Sequence, residues 1–267
     1  MIYLNGKPVN IGHFPDGTIL MKEYVGIDHE EERSAKILWK FENNEELVAL
    51  IFLTKHLKSH GVENVHLDMP YIPNARQDRV KSEEDVFTLK YFSEIINFIG
   101  FKSVTVLDPH SSVSEALIDN IVVKPPLNYI NRVIGRIGDE NLLMFYPDEG
   151  AMKRYSGMID RPFAFGIKKR DWATGQIMGL EVSGMTELVK QSKVLIVDDL
   201  SSRGGTFYHS ALKLKELGAK EIYLYISHCE NTILEGEALK GDLIQRVFTT
   251  DSLFTADHEK IEVFDYE

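Results

Sequence analysis

The chain has 267 residues, of which 43% are hydrophobic and 27% are charged, and its formal net charge at pH 7 is −11. These values are ordinary for a globular protein of one large or two medium domains, and the negative charge argues against nonspecific binding to nucleic acid. The single cysteine, Cys229, excludes an intramolecular disulfide and predicts a reducing compartment, which we take to be the cytoplasm. The sequence has no apolar run of 18 residues and no basic-then-apolar amino terminus, so neither a membrane span nor a secretory signal is expected.

The predicted elements alternate between helix and strand along the chain. Three predicted helices end at a glycine, and a strand begins four residues later in each case, which is typical of a parallel sheet with glycine in a left-handed cap. The helices span 45–60, 83–99 and 206–217, and the following strands begin at Val65, Val104 and Ile222. Further strands are predicted at 121–123, 142–146, 163–167 and 194–198. This alternation predicts an α/β fold, in which ligands gather at the carboxyl ends of the strands.

The clearest break in this pattern is Lys124-Pro125-Pro126-Leu127, directly after the predicted strand 121–123. It predicts an N-terminal α/β domain of residues 1–123 and a second α/β domain of residues 124–250. Residues 251–267 then form a C-terminal segment.

A predicted buried strand that ends in two carboxylates carries the strongest functional signal. Apolar residues 194–197 lead to Asp198 and Asp199, and the turn Ser202-Arg203-Gly204-Gly205-Thr206 opens the next helix. Glycines let backbone N–H groups close around a phosphate, and a helix N-terminus favours an anion. The two aspartates can accept hydrogen bonds from vicinal ribose hydroxyls. The segment contains neither a Walker A loop nor a G-x-G-x-x-G spacing. The alternative interpretation of the segment is an acidic turn in which the glycines only reverse the chain.

A proline-bounded loop after the predicted strand 65–69 carries a second polar cluster. It contains Arg76, Gln77, Asp78 and Arg79. Arginine side chains offer planar forks for a polyphosphate, and the Gln77 amide can read the edge of a nucleotide. The alternative is a solvated loop in which arginine and aspartate pair with each other.

Both segments resemble known phosphate-binding loops. Residues 194–206 resemble the phosphoribosyl-diphosphate (PRPP) loop of type I phosphoribosyltransferases and PRPP synthetases. Residues 70–79, which read Pro-Tyr-x-x-x-Ala-Arg-Gln-Asp-Arg, resemble the ATP-binding loop of PRPP synthetases (ribose-phosphate diphosphokinases). Four more motifs resemble that family in the same order along the chain, and the resemblance extends from about Phe14 to about Ser252. They are Phe14-Pro15-Asp16-Gly17-Thr18, Leu107-Asp108-Pro109-His110, Pro147-Asp148-Glu149-Gly150 and Ile167-Lys168-Lys169-Arg170.

The resemblance implies two phosphoribosyltransferase-like domains with mainly parallel sheets, an active site between them, and residues 251–267 packed back on the first domain. It also implies a homo-oligomer of at least two copies. The implied ATP-binding residues are Phe14, Asp16, Thr18, Arg76, Gln77 and Asp78. The implied ribose-phosphate ligands are Asp198, Asp199, Ser202, Arg203, Gly204, Gly205 and Thr206. The implied Mg²⁺ ligands are His110 and Asp148, and the implied catalytic residues are Lys168 and Arg170, at the base of a catalytic loop over residues 171 to about 181.

Residue types alone leave simpler interpretations of three of these motifs. His110 also fits a hydrogen-bonded residue of a turn. Asp148 also fits a helix N-cap, because Glu149, Gly150 and Ala151 can begin a helix. Residues 168–170 also fit a solvated run of charges.

The implied reaction transfers the β,γ-diphosphate of ATP to the anomeric hydroxyl of ribose 5-phosphate, which gives PRPP and AMP. Two departures from the family pattern bear on the substrates. Thr18 stands where the family has Glu, and residues 202–206 replace the usual Asp-Thr-Ala-Gly-Thr. The added Arg203 and the two glycines predict a more cationic and roomier pocket, which suits a 5-substituted ribose such as ADP-ribose and a place in NAD metabolism.

Two other classes of protein remain as alternatives. One is a phosphoribosyltransferase, which has no role for the loop 75–79. The other is an inactive, synthetase-associated regulator, which typically loses the catalytic-loop residues that this chain keeps at Lys168 and Arg170.

Overall fold

The computed structural model of the chain describes residues 1–23, 33–170 and 177–267, with the side chains of 168–170 and 177–180 left undescribed. The described residues form two compact units, Met1–Pro125 and Pro126–Glu267. The boundary falls at the Pro-Pro pair. No helix in the described part of the chain has both the length and the apolar content to cross a bilayer.

The first unit is built around a six-stranded sheet. Its strands and helices in chain order are β1 (Ile2–Leu4), β2 (Lys7–Pro8), β3 (Ile11–His13), β4 (Ile19–Met21), β5 (Ser34–Trp39), α1 (Glu45–Ser59), β6 (Asn64–Asp68), α2 (Thr88–Ile99), β7 (Ser103–Leu107), α3 (Ser112–Leu117) and β8 (Ile121–Lys124). The sheet order is β2-β1-β5-β6-β7-β8, and β3 and β4 form a separate hairpin. Strands β5 to β8 are parallel, whereas β1 runs antiparallel to both β2 and β5. The core forms because Leu50, Leu53 and Leu57 of α1 share one side and pack with Leu67 and Val106 of the sheet.

The second unit contains a seven-stranded sheet. Its elements are α4 (Leu127–Ile137), β9 (Leu143–Tyr146), α5 (Glu149–Tyr155), β10 (Phe163–Arg170), β11 (Ile177–Gly184), β12 (Lys193–Ser201), α6 (Gly205–Glu216), β13 (Glu221–Cys229), β14 (Arg246–Thr250) and β15 (Ile261–Phe264), with 3₁₀ turns at Thr186–Leu188 and Asn231–Glu235. The order is β11-β10-β9-β12-β13-β14-β15. All neighbours are parallel except β10 and β11, which form an antiparallel hairpin. The apolar run 194–197 is fully buried, as expected for a central parallel strand.

This architecture confirms the predicted α/β fold with two mainly parallel sheets. The glycine caps are confirmed as well, because Gly61, Gly100 and Gly218 have φ angles of 89°, 74° and 91°. Helix α2 begins at Thr88 rather than at residue 83. The Asp85 carboxylate accepts hydrogen bonds from the backbone N–H groups of Lys81 and Ser82, which holds residues 81–85 in a turn.

The C-terminal segment, residues 251–267, lies within the second unit. Its packing on the first domain stays a prediction. Strand β15 pairs in parallel with β14 at the edge of the second sheet. The Phe264 ring stacks on Phe248, with ring centroids 6.2 Å apart, so the segment contributes to the second unit's own interior.

Candidate functional site

The two adjacent aspartates lie at the carboxyl end of β12, next to β9 and β13. Asp199 is only 5% exposed, and its Oδ1 lies 3.0 Å from Nη1 of Arg154 on helix α5. The Asp198 carboxylate accepts a hydrogen bond of 3.0 Å from the backbone N–H of Asp199. Strand β12 continues to Ser201, three residues beyond its predicted end. Both carboxylates are therefore held by the sheet itself rather than by a loose turn.

Asp198 sits in an electrostatically strained position. Burial raises its pKa well above the usual value, and the negative charges of Asp199 and Asp148 raise that pKa further. Asp199 and Asp148 therefore lie close enough to influence Asp198, and Asp199 is paired with Arg154. Carboxylates placed in this way can accept hydrogen bonds from the hydroxyls of a sugar.

Asp148 is the N-cap of helix α5. Its Oδ1 accepts a hydrogen bond of 3.0 Å from the backbone N–H of Ala151, and its own backbone is extended, as N-cap residues are. The simpler interpretation of Asp148 from the sequence is thus present in the structure. The cap also fixes the carboxylate where it influences the pKa of Asp198, so the two roles do not exclude each other.

The turn between β12 and α6 is closely packed on one side and open on the other. Gly204 has a φ of +73°, and a Cβ atom there would lie 2.7 Å from the Cβ of Ala238. A Cβ on Gly236 would lie 1.7 Å from the carbonyl oxygen of Arg203, so only glycine fits at this approach. A Cβ on Gly205 would meet nothing within 4 Å. The expectation that both glycines open space is therefore wrong for Gly204, which packs against the 3₁₀ segment, and holds for Gly205 alone.

Arg203 does not simply add positive charge to this turn. Its Nη2 lies 3.3 Å from Oε2 of Glu235, and both side chains are well exposed. The acidic partner offsets part of the charge that the sequence analysis assigned to the pocket. Because Glu235 lies 32 residues further along the chain, in the connection between β13 and β14, the local sequence pattern gave no sign of this pairing.

The Arg-Gln-Asp-Arg loop follows β6 in the first unit, and its charges are largely paired. Arg79 donates two hydrogen bonds to the buried Asp78, of 2.7 Å to Oδ1 and 2.9 Å to Oδ2. These bonds from Arg79 chiefly lower the pKa of Asp78, and the nearby His110 lowers it further. The self-paired interpretation is thus correct for Asp78 and Arg79. Asp78 also lies near enough to the His110 loop after β7 for His110 to influence its pKa.

Gln77 is tied to the start of helix α2. Its Oε1 accepts a hydrogen bond of 2.8 Å from the hydroxyl of Thr88. Arg76 is exposed on the same loop. The loop therefore presents Arg76 outward from a base fixed by Gln77 and Asp78, which is a suitable arrangement for holding a polyphosphate.

The Phe14–Thr18 motif forms the tip of the β3–β4 hairpin. The backbone N–H and the hydroxyl of Thr18 both donate to Oδ1 of Asp16, at 3.0 and 2.7 Å. These bonds lower the pKa of Asp16. Phe14 is 50% exposed at the tip. Thr18, which departs from the family pattern, thus orders the loop by binding Asp16, while the Phe14 ring is available for stacking.

The remaining predicted residues are only partly described. The backbone of Lys168 and Arg170 lies at the end of β10, and their side chains lie outside the described residues. Residues 171–176 of the predicted catalytic loop also lie outside them. Strand β11 already begins at Ile177 and pairs with β10, so the segment from 177 to about 181 is strand rather than loop.

The described residues contain no preformed metal cage. No group of three or more His, Cys, Asp or Glu side chains among them is arranged to hold a metal ion. Mg²⁺ usually binds through one or two carboxylates together with substrate phosphates and water. The oxygen donors of Asp148 and Asp198 suit such a phosphate-borne Mg²⁺, and imidazole, as in His110, is a less typical ligand.

Arg154 is the main site residue that sequence reasoning missed. Its contact with Asp199 arises because β9 lies beside β12 in the sheet, so the helix that follows β9 comes beside the end of β12. Thr88 was missed for the same reason, since its hydroxyl binds a loop from a more distant part of the chain. Sequence spacing contains no signal for such contacts.

Comparison with known proteins shows which proteins this chain resembles. No family model matches the chain. A ribose-phosphate pyrophosphokinase of Thermococcus kodakarensis is 29% identical over 228 residues, which cover 82% of this chain and 77% of that protein. Another, from Pasteurella multocida, is 26% identical over 267 residues, covering 94% and 81%. The crystal structure of phosphoribosylpyrophosphate synthetase from Mycobacterium smegmatis superposes with a TM-score of 0.78 at 20% identity, covering 97% of this chain and 86% of that one.

The shared fold defines the class as an α/β protein built from two phosphoribosyltransferase-like domains. Within that class, the chain is similar in sequence to ribose-phosphate pyrophosphokinases and is shorter than most of the relatives it matches.

Proposed function

We propose that this protein is an ATP-dependent diphosphokinase that transfers the β,γ-diphosphate of ATP to the anomeric hydroxyl of ribose 5-phosphate. The observation that carries the proposal is the end of β12, where Asp198 and Asp199 precede a glycine turn that opens helix α6. This edge combines acceptors for ribose hydroxyls with N–H donors for a phosphate. The likeness in sequence to ribose-phosphate pyrophosphokinases supports it.

In this reaction the anomeric oxygen attacks the β-phosphorus, the bond to the α-phosphate oxygen breaks, and AMP leaves. Charge builds on the phosphoryl oxygens and on AMP, so positioning and charge stabilisation supply most of the catalysis. We assign the 5-phosphate to residues 202–206 and the ribose hydroxyls to Asp198 and Asp199. We assign the stabilisation of the transferred group to Lys168 and Arg170.

We assign ATP to the first unit. Arg76 and Gln77 bind the nucleotide, Asp78 orders their loop, and Phe14, Asp16 and Thr18 form the adenine contact of a neighbouring copy in a homo-oligomer. Mg²⁺ would be held by Asp148 and His110, and it supplies charge neutralisation to the phosphates when bound. We further propose that the protein works in the cytoplasm.

A 5-substituted ribose such as ADP-ribose is the alternative acceptor. The open space beside Gly205 and the exposed Arg203 favour it, whereas the ion pair of Arg203 with Glu235 weakens the electrostatic part of that argument. A phosphoribosyltransferase has no use for the ATP loop, so that alternative has less support.

The deciding experiment measures AMP release from ATP and Mg²⁺ with ribose 5-phosphate and, side by side, with ADP-ribose. Turnover of ribose 5-phosphate supports the proposal. Turnover of ADP-ribose alone would show that the acceptor is a 5-substituted ribose instead. Asp198→Asn is expected to abolish either activity. Asp242→Asn is the matched control, because it makes the same change at a side chain that is 99% exposed in the same unit. Absence of AMP release with both acceptors would overturn the proposal.

A further inference from the structure

Arg154 is a partly buried arginine beside the two aspartates at the end of β12. Its side chain is 25% exposed and that of Asp199 is 7% exposed, and the two form an ion pair of 3.0 Å. Arg154 projects from the last turn of α5, a helix whose first turn is capped by Asp148. One short helix therefore brings both a carboxylate and a cation to the aspartates of β12.

Two aromatic rings support the guanidinium. The Cζ atom of Arg154 lies 5.6 Å from the centroid of the Tyr155 ring, within range of a cation–π contact. Tyr155 in turn stacks on Tyr146 of β9, with centroids 6.1 Å apart, and both tyrosines are fully buried. The arginine is thus anchored to the strand next to β12, so its Nη1 atom reaches Asp199 from a rigid base.

Stability alone is a weak explanation for this pair. A well-packed apolar pair commonly stabilises an interior as well as or better than a buried ion pair does, because both charges lose their hydration. An ion pair with a rigidly held arginine is better suited to fix the place of a carboxylate, since the positive charge attracts the Asp199 oxygens to one side of the site. At this edge the direction of the Asp199 oxygens decides whether vicinal hydroxyls can be bound.

We propose that Arg154 is a positioning residue for the ribose acceptor and acts through Asp199 rather than by touching the substrate. The inference rests on the proposed function in that the acceptor binds at Asp198 and Asp199. It adds a specific division of work, in which Arg154 fixes the Asp199 carboxylate and the two aspartates bind the sugar hydroxyls.

The first test compares KM values in Arg154→Met. Loss of the guanidinium is expected to raise the KM for the acceptor by about 10- to 100-fold, the range seen when a residue that orients a ligand-binding side chain is removed. The KM for ATP is expected to stay within about twofold, because the assigned ATP residues are on the other unit. Arg154→Lys keeps the charge but lacks the planar guanidinium. Its KM for the acceptor is expected to lie between the values of the wild type and of Arg154→Met. Lys153→Met removes a cation from the same helix at an exposed position and is the control.

The second test is a double-mutant cycle with Asp199→Asn, measured as ribose 5-phosphate and ADP-ribose binding by calorimetry and as Tm. If Arg154 acts through Asp199, Arg154→Met causes no further loss of acceptor affinity in the Asp199→Asn background. The double variant should have a higher Tm than either single variant, because neither partner of the buried pair is left as an unpaired charge. Its affinity for the acceptor should not recover. Additive losses, or affinity that returns together with Tm, would overturn the proposal.

Failure of the two proposals can be told apart. Equal acceptor affinity in the wild type and in a folded Arg154→Met variant overturns the role of Arg154 and leaves the proposed function untouched. A wild-type chain that binds neither acceptor overturns both.

Discussion

Gly204 and Gly205 are adjacent in the sequence but have opposite environments in the structure. Gly204 has a positive φ and packs against Ala238, whereas Gly205 begins helix α6 beside open space. The first glycine is needed by the fold, because an L-residue is strained in that conformation. The second has open space beside it, which leaves room for an anion at the start of α6.

Alanine substitution should separate these two roles. Gly204→Ala is expected to lower the free energy of unfolding by about 2–4 kcal/mol, from the left-handed backbone and the collision with Ala238. Gly205→Ala should leave the unfolding free energy unchanged or slightly higher and should raise the KM for the acceptor. Urea denaturation and steady-state kinetics measure the two effects. Equal loss of stability in both variants would contradict this assignment.

Glu221 illustrates a charged residue that serves the fold away from the candidate site. Its carboxylate accepts a hydrogen bond from the Tyr223 hydroxyl and pairs with Lys193 at 3.2 Å. The Tyr223 bond chiefly lowers the pKa of Glu221. Burial, with help from Glu221, raises the pKa of Tyr223 to about 12.

The lowered pKa predicts a pH-dependent effect of Glu221→Gln. The stabilisation by the carboxylate is fully present above its ordinary pKa of 4.5 and is lost as pH falls through the lowered value. We therefore expect Glu221→Gln to cost about 1 kcal/mol at pH 7 and progressively less as the pH falls below 4.5 through the lowered pKa. Urea midpoints of both proteins over a series of pH values test this. A difference that does not change with pH would show that the carboxylate charge is not involved.

Strand β15 shows how an element acquires its place from packing. Phe264 is 3% exposed, stacks on Phe248, and lies under the guanidinium of Arg132 with 4.3 Å between Cζ and the ring centroid. Its neighbour Val263 is 38% exposed at the sheet edge. The strand is therefore held by one face, and by its pairing with β14.

Truncation of these two neighbours should have very different costs. Phe264→Ala is expected to lower the free energy of unfolding of the second unit by about 3–5 kcal/mol, as for a buried aromatic residue. Val263→Ala should cost about 1 kcal/mol or less, because much of this side chain is already hydrated. Thermal unfolding followed by circular dichroism measures both. Similar losses would mean that β15 is not fixed by its inner face.

At the scale of the whole molecule, each unit has its own hydrophobic core. One contains α1 and β5 to β7, and the other contains α6 and β12 to β14. The candidate ATP residues lie in the first unit and the candidate ribose-phosphate residues in the second. The net charge of −11 makes local cations necessary at both sites if they bind anions.

This division predicts that the two ligand affinities can be changed separately. Arg76→Ala should weaken binding of MgATP by about 1–3 kcal/mol, the value of a charge-assisted hydrogen bond, and should leave ribose 5-phosphate binding unchanged. Asp198→Asn should do the reverse. Calorimetric titration with each ligand alone tests both variants. A change in both affinities from either single substitution would argue against the assignment.

Sequence alone determined the alternation of strands and helices and the glycine caps, because these depend on local periodicity and on residue types at short spacing. The same is true of Asp148 as an N-cap. The start of α2 was misplaced because the Asp85 turn outweighed helical propensity in residues 83–87.

Only the tertiary structure decided which charges meet. Arg154 reaches Asp199, Arg203 is offset by Glu235, and β15 joins the second sheet, each through strand order or a distant loop. These contacts join residues that are far apart in the chain. Burial of the hydrophobic cores fixes the order of the strands, and the strand order brings these residues together. A sequence pattern records which residues are available for such contacts, whereas the packing of the sheets determines their partners.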